Sequence, residues 1–443
     1  MIADPLDLDR THDAAARSWV GAANEAGTDF SVQNLPFCIF RRSSGERFGA
    51  GVGIGDQIFD LTAPAAPVAL RGVAPAALRA AAEPALNALA ALEPDVQTAL
   101  RRELFDVLST DARRSEAEAA LVPMGEAQYA LPFTVGDFTD FYASIFHATR
   151  VGTMYRPTNP LMPNYKYVPV AYHGRSSTVV VDGTPVRRPR GQLRPSEDAP
   201  PVFDVCRRLD YEAEVGFYVG RPTQGEVGID AAPAHVFGFT VLNDWSARDI
   251  QTWEYQPLGP FLGKNFATTV SPWVVTMDAL RPFRTAALVR PDGDPAPLPH
   301  LAGVHDALHG GVAITIEVAI RSERMRNDGL PPFRLSRSSF ADSYWTFAQM
   351  LTHHASNGCI LRSGDLMGSG TMSGPGDNPT MWGSLVELSH NGRDALNLPS
   401  GETRTFIADG DEILMRARCE LPGFASIGFG VAGGIVVGAA PPS

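Results

Sequence analysis

Alternation of apolar and polar residues with a period of two is the feature that most restricts how this chain can fold. In residues 312–320 every second side chain is aliphatic, so one face of an extended strand would be apolar. Further strand-like runs occupy residues 178–182, 413–418 and 435–438. Long helices do not alternate with these runs, which argues against a doubly wound α/β fold. The pattern predicts a mainly β protein of the α+β class, with one helix near residues 343–354.

The N-terminal part of the chain has a different character. It holds short glycine-rich runs, which are typical of the strands of a small barrel. These runs cover residues 37–40, 48–55 and 57–61. A run rich in Ala, Leu, Glu and Arg at residues 75–115 predicts helices. The composition of residues 1–30 indicates a loose tail.

Two prolines, Pro123 and Pro132, mark a boundary between these regions. A chain of 443 residues is long enough for more than one domain. We therefore predict an N-terminal domain of residues 1–131, which holds the tail, the barrel and the helices. The C-terminal domain of residues 132–443 would hold the chemistry.

Composition excludes several classes of protein. The net charge of −12 does not favour nucleic acid or an anionic membrane as a partner. The four cysteines lie far apart in the sequence, which indicates free thiols in a reducing compartment. The first residues are acidic without an apolar core, and no stretch of about 18 apolar residues occurs. We expect a cytoplasmic protein.

A carboxylate pair is the first candidate for chemistry. If residues 211–217 form a strand, Glu212 and Glu214 share one face with Cα atoms roughly 6.5–7 Å apart. The pair is either part of a solvated face or a set of oxygen ligands for a hard divalent ion. Asp140 and Asp244 are further carboxylates that favour the second interpretation. Because no His or Cys cluster accompanies them, Ca²⁺ or Mg²⁺ is favoured over Zn²⁺.

Residues 244–268 combine acid, base, amide, phenol and hydroxyl groups. If the chain is helical from residue 244, a spacing of i, i+4, i+7 and i+11 puts four polar side chains on one face. These are Asp244, Arg248, Gln251 and Tyr255. The face is either solvated or part of a site. Lys264 follows the apolar, turn-forming residues 256–263, and an ammonium there normally has an anionic partner.

Histidines give one further candidate. His147 closes residues 137–147, which also hold two acids and a phenol, and it is the natural general base because its ordinary pKa lies near neutrality. A structural histidine is the alternative. His353 and His354 diverge by about 100° on a helix and are interpreted as structural.

Other motifs are weaker. Residues 428–433 spell a dinucleotide fingerprint but lie too close to the end of the chain for the βαβ unit that it needs. No nucleophile elbow or phosphate-binding loop occurs. The small residues 368–375 form either a ligand-approach loop or a plain turn. Glu387 lies in a strand-like run, residues 384–389, and does not by itself indicate a function.

Taken together, the motifs resemble those of the fumarylacetoacetate hydrolase family. The likeness runs from about residue 35 to residue 438 and includes a small N-terminal domain. The matching strings are DFTDFY at 137–142, YHGR at 172–175, NDWSARDIQ at 243–251, PLGPFLGK at 257–264, LTHH at 351–354 and SGT at 369–371.

The resemblance implies an SH3-like N-terminal barrel followed by a C-terminal mixed β-sandwich roll, as a homodimer with bound Ca²⁺ or Mg²⁺. It implies three groups of site residues. The metal ligands would be Asp140, Glu212, Glu214 and Asp244, with Lys264 and Thr268 at a second position. The catalytic residues would be His147 as base, Glu387 as its partner, and Arg248, Gln251 and Lys264 around an oxyanion. The substrate would contact Tyr142, Arg156, Gln251, Tyr255 and Thr371, with Tyr172 a weaker candidate.

The implied reaction is hydrolysis of a carbon–carbon bond in 4-fumarylacetoacetate, a small diketo acid, during tyrosine and phenylalanine breakdown. Three segments depart from the family pattern: a shorter loop after Arg156, a longer stretch at residues 374–383, and the extra residues before Leu35. An acylpyruvate hydrolase, or an isomerase or decarboxylase of oxo acids, is the related alternative. A non-catalytic metal-binding scaffold is the alternative from another class, although it would need only the carboxylates.

Overall fold

The glycine-rich runs near the N-terminus form a five-stranded antiparallel sheet. We describe a computed structural model that covers residues 7–196 and 198–440. The sheet has the order β4-β3-β2-β1-β5. Its strands are β1 Phe37–Arg41, β2 Gly49–Ile54, β3 Gln57–Asp60, β4 Leu121–Pro123 and β5 Gln128–Ala130. At Gly51, a Cβ would lie 2.4 Å from Ile58 Cγ2, so a side chain has no room there.

Helices connect β3 to β4, as the composition of residues 75–115 predicts. They are α1 Ala66–Ala69, α2 Pro75–Ala81, α3 Asn87–Ala90, α4 Pro94–Ser109 and α5 Arg114–Glu118. The longest helix, α4, begins with Pro94, whose missing N–H costs nothing in the first turn. Its Leu100, Leu104 and Leu108 share one face and are buried with the aliphatic side chains of the N-terminal sheet.

The expectation of a loose N-terminal tail is wrong for residues 7–30, and residues 1–6 lie outside the described part of the chain. Val20 and Ala23 are buried, and the Ser18 hydroxyl donates to the Leu108 carbonyl at 2.6 Å. The residues that follow are also held by distant partners. Arg101 of α4 donates a hydrogen bond to the Asn34 carbonyl at 2.7 Å, and the Asn34 side chain donates to the Gly428 carbonyl at 2.7 Å. Irregular backbone satisfied by distant partners leaves no periodic signal in a sequence, so composition alone indicated a tail.

Residues from Phe138 onward supply the remaining strands and helices. The helices are α6 Ile145–Tyr155, α7 Arg248–Glu254, α8 Val304–His309, α9 Glu323–Asn327, α10 Phe347–Ala355 and α11 Leu385–Leu388. The strands are β6 Phe138–Phe141, β7 Ala171–His173, β8 Val179–Val181, β9 Val186–Arg187, β10 Arg190–Leu193, β11 Val202–Val205, β12 Leu209–Asp210, β13 Ala213–Val219, β14 Val236–Asp244, β15 Ser246–Ala247, β16 Thr268–Val270, β17 Val275–Thr276, β18 Arg284–Thr285, β19 Gly311–Val312, β20 Ile314–Arg321, β21 Phe333–Ser339, β22 Leu366–Gly368, β23 Leu396–Asn397, β24 Thr403–Arg404, β25 Glu412–Cys419 and β26 Ile427–Val437.

Single turns of 3₁₀ helix join many of these elements. They are Arg10–His12, Gly21–Asn24, Asp111–Arg113, Met124–Glu126, Ser176–Thr178, Ala232–His235, Arg281–Phe283, Pro299–Leu301, Phe340–Asp342 and Pro379–Met381. Among the described residues, no helix has the length and apolar character that crossing a membrane requires. The four cysteines are free thiols, as expected.

Two mixed sheets form the larger part of the molecule. One has the order β7-β6-β22-β13-β14-β16-β8, with β17 also paired to β14, and the other has the order β21-β20-β25-β26-β9. Three pairs are parallel, β16 with β8, β22 with β6, and β26 with β9. Phe217 and Phe239 of the first sheet share one buried cluster with Ile316 of the second. The mainly β, α+β fold class is confirmed.

The period-two alternation is confirmed in β20. Ile314, Ile316, Val318 and Ile320 are fully buried, whereas the residues between them are partly exposed. Residues 428–433 lie inside β26 and form no nucleotide-binding turn. Helix α10 occupies the position predicted for a helix near residues 343–354.

Two local predictions are wrong. The chain is not helical from Asp244, because Asp244 ends β14, which pairs with both β13 and β16, and the helix begins only at Arg248. Glu387 lies on the short helix α11 rather than on a strand. In each case tertiary packing overrides a local pattern.

Replacing Ile316 with Ala tests the packing of the two sheets. We expect a loss of about 2–5 kcal/mol in the free energy of unfolding, because the substitution leaves a cavity in a fully buried position. Thr315→Ala, on the partly exposed face of the same strand, should change stability by less than about 1 kcal/mol. Urea unfolding of both variants measures the difference, and equal losses would contradict this packing.

Candidate active site and metal centre

Four carboxylates converge at one end of the first large sheet. Asp140 lies in β6, Glu212 directly precedes β13, Glu214 lies in β13, and Asp244 ends β14. One oxygen of each lies within 4.8 Å of the corresponding oxygen of the others, and all four residues are buried. Neighbouring strands and the Glu-x-Glu spacing bring these side chains to one point, as the ligand interpretation of the sequence required.

Two members of the cluster, Asp140 and Glu214, have no ion-pair partner within residues 7–196 and 198–440. Burial and the neighbouring carboxylates raise the pKa of Asp140 and of Glu214 well above its ordinary value. Glu214 Oε1 has no hydrogen-bond partner among the described residues. Backbone packs closely against both groups, since a Cβ at Gly368 would lie 2.6 Å from Asp140 Oδ1 and 2.9 Å from Glu214 Oε2.

Lys264 meets the other two members. Its ammonium is ion-paired with Glu212 and lies 2.8 Å from Asp244 Oδ2. Arg248 Nη1 lies 2.8 Å from Glu212 Oε1. Burial would raise the pKa of Glu212, but Lys264 and Arg248 more than offset it, so the pKa is lowered. The anionic partner expected for Lys264 is therefore this cluster.

Neutral donors complete the surroundings of Asp244. The Thr268 hydroxyl donates to Asp244 Oδ1 at 2.9 Å, and the Tyr172 hydroxyl donates to Oδ2 at 2.7 Å. Burial would lower the pKa of Lys264, but Asp244 and Glu212 outweigh it and the pKa is raised. A protonated ammonium has no lone pair, so Lys264 could contact a metal ion only through its backbone carbonyl.

The cluster fits a hard divalent cation. Asp140, Glu212, Glu214 and Asp244 offer only oxygen ligands, which is the donor set that Ca²⁺ and Mg²⁺ prefer. The unpartnered Glu214 oxygen and the raised pKa of both cation-free carboxyls mark a deficit of positive charge. An ion at the centre of the cluster would remove this deficit.

A histidine–glutamate pair lies beside the cluster. His147 is in the first turn of α6, which Ser144 caps by accepting a hydrogen bond from the His147 backbone N–H at 3.3 Å. The ring Nδ1 lies 2.8 Å from Glu387 Oε2. A carboxylate accepts from N–H, so Nδ1 carries the proton and Nε2 is the ring nitrogen left for a proton transfer.

Glu387 is itself held by three other side chains. Arg150 donates to Oε1 at 2.8 Å, Ser384 donates to Oε2 at 2.8 Å, and the Ser373 hydroxyl lies 2.9 Å from Oε2. Burial would raise the pKa of Glu387, but His147 and Arg150 more than offset it and lower the pKa to about 2. The carboxylate stays charged and fixed, and it can stabilise a protonated His147.

A cavity of about 350 Å³ joins these groups. Ten of the predicted site residues line it: Asp140, Tyr142, His147, Arg156, Glu212, Arg248, Gln251, Tyr255, Lys264 and Thr371. Tyr172 also lines it. The other four predicted residues lie behind this lining: Glu214, Asp244, Thr268 and Glu387. A larger cavity of about 430 Å³ beside α4 contains none of these residues.

Four residues of the site were not found by sequence reasoning. Asp210 binds Arg248, and Arg150, Ser373 and Ser384 donate to Glu387. Arg150 follows His147 by three positions, just beyond the predicted segment 137–147, and Ser384 precedes Glu387 by three positions. These two spacings were the available signals. Asp210 and Ser373 have no such spacing to their partners.

The fold and the buried carboxylates define a class: mainly β proteins whose buried acidic centre could hold a metal ion. Family models narrow the class. The model described as "Fumarylacetoacetate (FAA) hydrolase C-terminal" matches residues 138–432, and "Fumarylacetoacetase N-terminal" matches residues 33–132. The chain belongs to the fumarylacetoacetate hydrolase family, and the resemblance stated from the motifs is confirmed.

Relatives agree over nearly the full length. The chain is 44% identical over 428 residues to the fumarylacetoacetase of Bos taurus, covering 95% of this chain and 98% of the relative. It is 44% identical over 424 residues to the fumarylacetoacetase of Homo sapiens, covering 94% and 98%. It is 41% identical over 436 residues to the fumarylacetoacetase of Oryza sativa subsp. japonica, covering 96% and 98%.

The lowered pKa of Glu387 predicts a pH dependence of stability. A carboxyl whose pKa falls from 4.5 to about 2 on folding stabilises the protein above pH 4.5 and loses that contribution as the pH falls toward 2. The difference corresponds to about 3 kcal/mol. Glu387→Gln removes it, so stability should fall less steeply in this variant between pH 5 and pH 3 than in the wild type. Chemical unfolding at several pH values measures both slopes.

Glu420→Gln is the matched control, because Glu420 is half-exposed and its ion pairs contribute little. Its slope should follow that of the wild type. Parallel slopes for the wild type and Glu387→Gln would show that Glu387 is not held as a charged group.

Proposed function

We propose that this protein hydrolyses a carbon–carbon bond of 4-fumarylacetoacetate and releases fumarate and acetoacetate, the last step of tyrosine and phenylalanine breakdown. One observation carries the proposal: a buried His147–Glu387 pair, a four-carboxylate centre and two buried cations line or adjoin one cavity. Full-length relatives named fumarylacetoacetase support the substrate.

The difficulty of the reaction is its leaving group, a carbanion that becomes accessible only as an enolate with charge on oxygen. When bound by Asp140, Glu212, Glu214 and Asp244, Ca²⁺ or Mg²⁺ supplies a Lewis acid for the diketone oxygens. We also propose a second, Mg²⁺-type position near Asp244, with the Thr268 hydroxyl and the Lys264 backbone carbonyl as further ligands.

His147 acts as the general base in this proposal. Its Nε2 removes a proton from water, the resulting hydroxide adds to a carbonyl carbon, and the imidazolium is stabilised by Glu387 at 2.8 Å. The carbon–carbon bond then breaks, and its electron pair goes to the enolate of acetoacetate. Protonation of this enolate carbon by the imidazolium returns His147 to its neutral form.

Three side chains face the negative charge that forms on the attacked carbonyl. Arg248 Nη1 donates to Gln251 Oε1 at 3.1 Å, which leaves the Gln251 amide N–H groups free to donate into the cavity. Lys264 is held near the carboxylates by Glu212 and Asp244. Donors fixed in advance inside a buried cavity stabilise an oxyanion without reorganisation.

The remaining lining residues bind and orient the substrate. Arg156 is positioned to bind a substrate carboxylate, and its Nε has no partner among the described residues. The buried Thr371 hydroxyl likewise has no partner there, while Tyr142 and Tyr255 offer phenol groups. Gln251 would contact both the substrate and the oxyanion.

We further propose that the enzyme is a cytoplasmic homodimer with two domains, residues 1–131 and 132–443. Free thiols support a reducing compartment, and the family resemblance supports the dimer. The chemistry lies in the second domain under this division, since every proposed site residue follows residue 132.

The test is an absorbance assay with fumarylacetoacetate and divalent metal, with the products identified by chromatography. We expect the diketone absorbance to decay while fumarate and acetoacetate form in equal amounts. Acylpyruvates and oxaloacetate serve as comparison substrates. Turnover of these compounds but not of fumarylacetoacetate would overturn the substrate assignment in favour of a related activity.

His147→Ala tests the base. We expect turnover to fall about 10²–10⁴-fold, because the proton acceptor is lost. Calcium binding measured by calorimetry should persist, because the ligands of the proposed metal site are the four clustered carboxylates and His147 is not among them. His235→Ala is the control and should retain wild-type turnover, because this partly exposed histidine contacts the Arg221 carbonyl and does not line the cavity. Substantial activity in His147→Ala would refute the assignment of this residue as the base.

A further inference from the structure

Asp210 connects the two sides of the cavity without lining it. This residue ends β12 and is fully buried. Its Oδ2 accepts a hydrogen bond from Arg248 Nε at 2.9 Å. Its two oxygens also accept hydrogen bonds from the backbone N–H groups of Leu385 at 2.7 Å and Val386 at 3.0 Å. One carboxylate therefore holds an arginine of the cavity and the start of the helix that bears Glu387.

The start of α11 needs this contact. The first N–H groups of a helix have no partner within the helix and are usually satisfied by the side chain of the N-cap residue. Ser384 is the N-cap of α11, but its hydroxyl donates to Glu387 at 2.8 Å and makes no capping hydrogen bond. The N–H groups of Leu385 and Val386 are satisfied by Asp210 instead, from another part of the chain.

On the other side, Asp210 fixes the direction of Arg248. Nη2 of Arg248 also lies 2.8 Å from Asp210 Oδ2, an ion-pair contact without hydrogen-bond geometry. With this edge of the guanidinium bound, Nη1 is directed toward Glu212 at 2.8 Å and Gln251 at 3.1 Å. Removing the Asp210 carboxylate would leave Arg248 with Glu212 as its remaining ion-pair partner among the described residues.

We propose that Asp210 is a positioning residue that keeps Arg248 and Glu387 in register, so that the oxyanion donors and the general base act on the same substrate atom. The proposal rests on the proposed function, in which Arg248 stabilises the oxyanion and Glu387 orients His147. Catalysis depends on such alignment, because a displacement of about 1 Å can cost about 10²-fold in rate.

Asp210→Asn tests the proposal. The amide keeps one acceptor oxygen but loses the charge that holds Arg248. We expect kcat with fumarylacetoacetate to fall about 100-fold. KM should stay close to the wild-type value, because Asp210 does not line the cavity. Calcium affinity measured by calorimetry should also persist, because Asp210 is not one of the clustered carboxylates.

Asp411→Asn is the matched control for a general loss of stability. Asp411 is also fully buried, accepts from Arg404 Nε at 2.7 Å and from the Ala408 backbone N–H at 2.9 Å, and lies outside the cavity. This variant should lose thermal stability while its kcat stays at the wild-type value. An equal fall of kcat in both variants would assign Asp210 a merely structural role.

A double-mutant cycle with Arg248→Gln separates positioning from an independent effect. Because Asp210 acts partly through Arg248, the step from Arg248→Gln to the double variant should lower kcat by clearly less than Asp210→Asn lowers it in the wild type. Fully additive losses would overturn the proposal. If Asp210→Asn does not fold, Asp210→Glu serves in its place, since it keeps the charge and displaces the carboxylate by one methylene. A wild-type kcat in a folded variant of either kind would also overturn it, whereas wild-type protein without turnover would instead refute the proposed function.

Discussion

Mutual repulsion among four buried carboxylates is the constraint on which the rest of this structure depends. Their oxygens lie within 4.8 Å of one another, away from water, where like charges repel strongly. The surrounding residues compensate part of this cost. Lys264 and Arg248 bring positive charge to Glu212, and Thr268 and Tyr172 donate to Asp244. Among the described residues, Asp140 and Glu214 have no such cation, so the repulsion is only partly compensated within this part of the chain.

Environment gives the same type of side chain two different properties within one site. Glu214 is surrounded by acids, and its pKa is raised well above the ordinary value. Glu387 is equally buried, but His147 and Arg150 lower its pKa to about 2. Within the chain the charged form of the first carboxyl is disfavoured, whereas that of the second is favoured. Asp210 links the second group to Arg248, so the two halves of the site depend on one buried hydrogen-bond network.

Much of this site could be predicted from the sequence because its residues lie in ordered, closely spaced motifs. The Glu212-x-Glu214 spacing on a strand and the alternation in β20 follow directly from strand geometry. The resemblance to a known family supplied the pairing of His147 with Glu387, which lie 240 positions apart and have no local spacing to detect. Asp210 could not be found because its partners come from two distant segments. The helix expected from Asp244 failed because that residue belongs to a strand with neighbours on both sides.

The most direct test of this account is thermal unfolding of the protein in EDTA and across a titration of Ca²⁺ or Mg²⁺. We expect the unfolding midpoint of the wild type to rise with ion concentration. The added stability should reach about 2.7 kcal/mol when the ion concentration is 100 times Kd. Glu214→Gln should be at least as stable as the wild type in EDTA, because it relieves repulsion, and should gain less from the ion. The partly exposed Glu317→Gln, outside the cluster, should behave as the wild type. An unfolding midpoint that is the same in EDTA and in saturating divalent ion would contradict the claim that the four carboxylates form a metal centre.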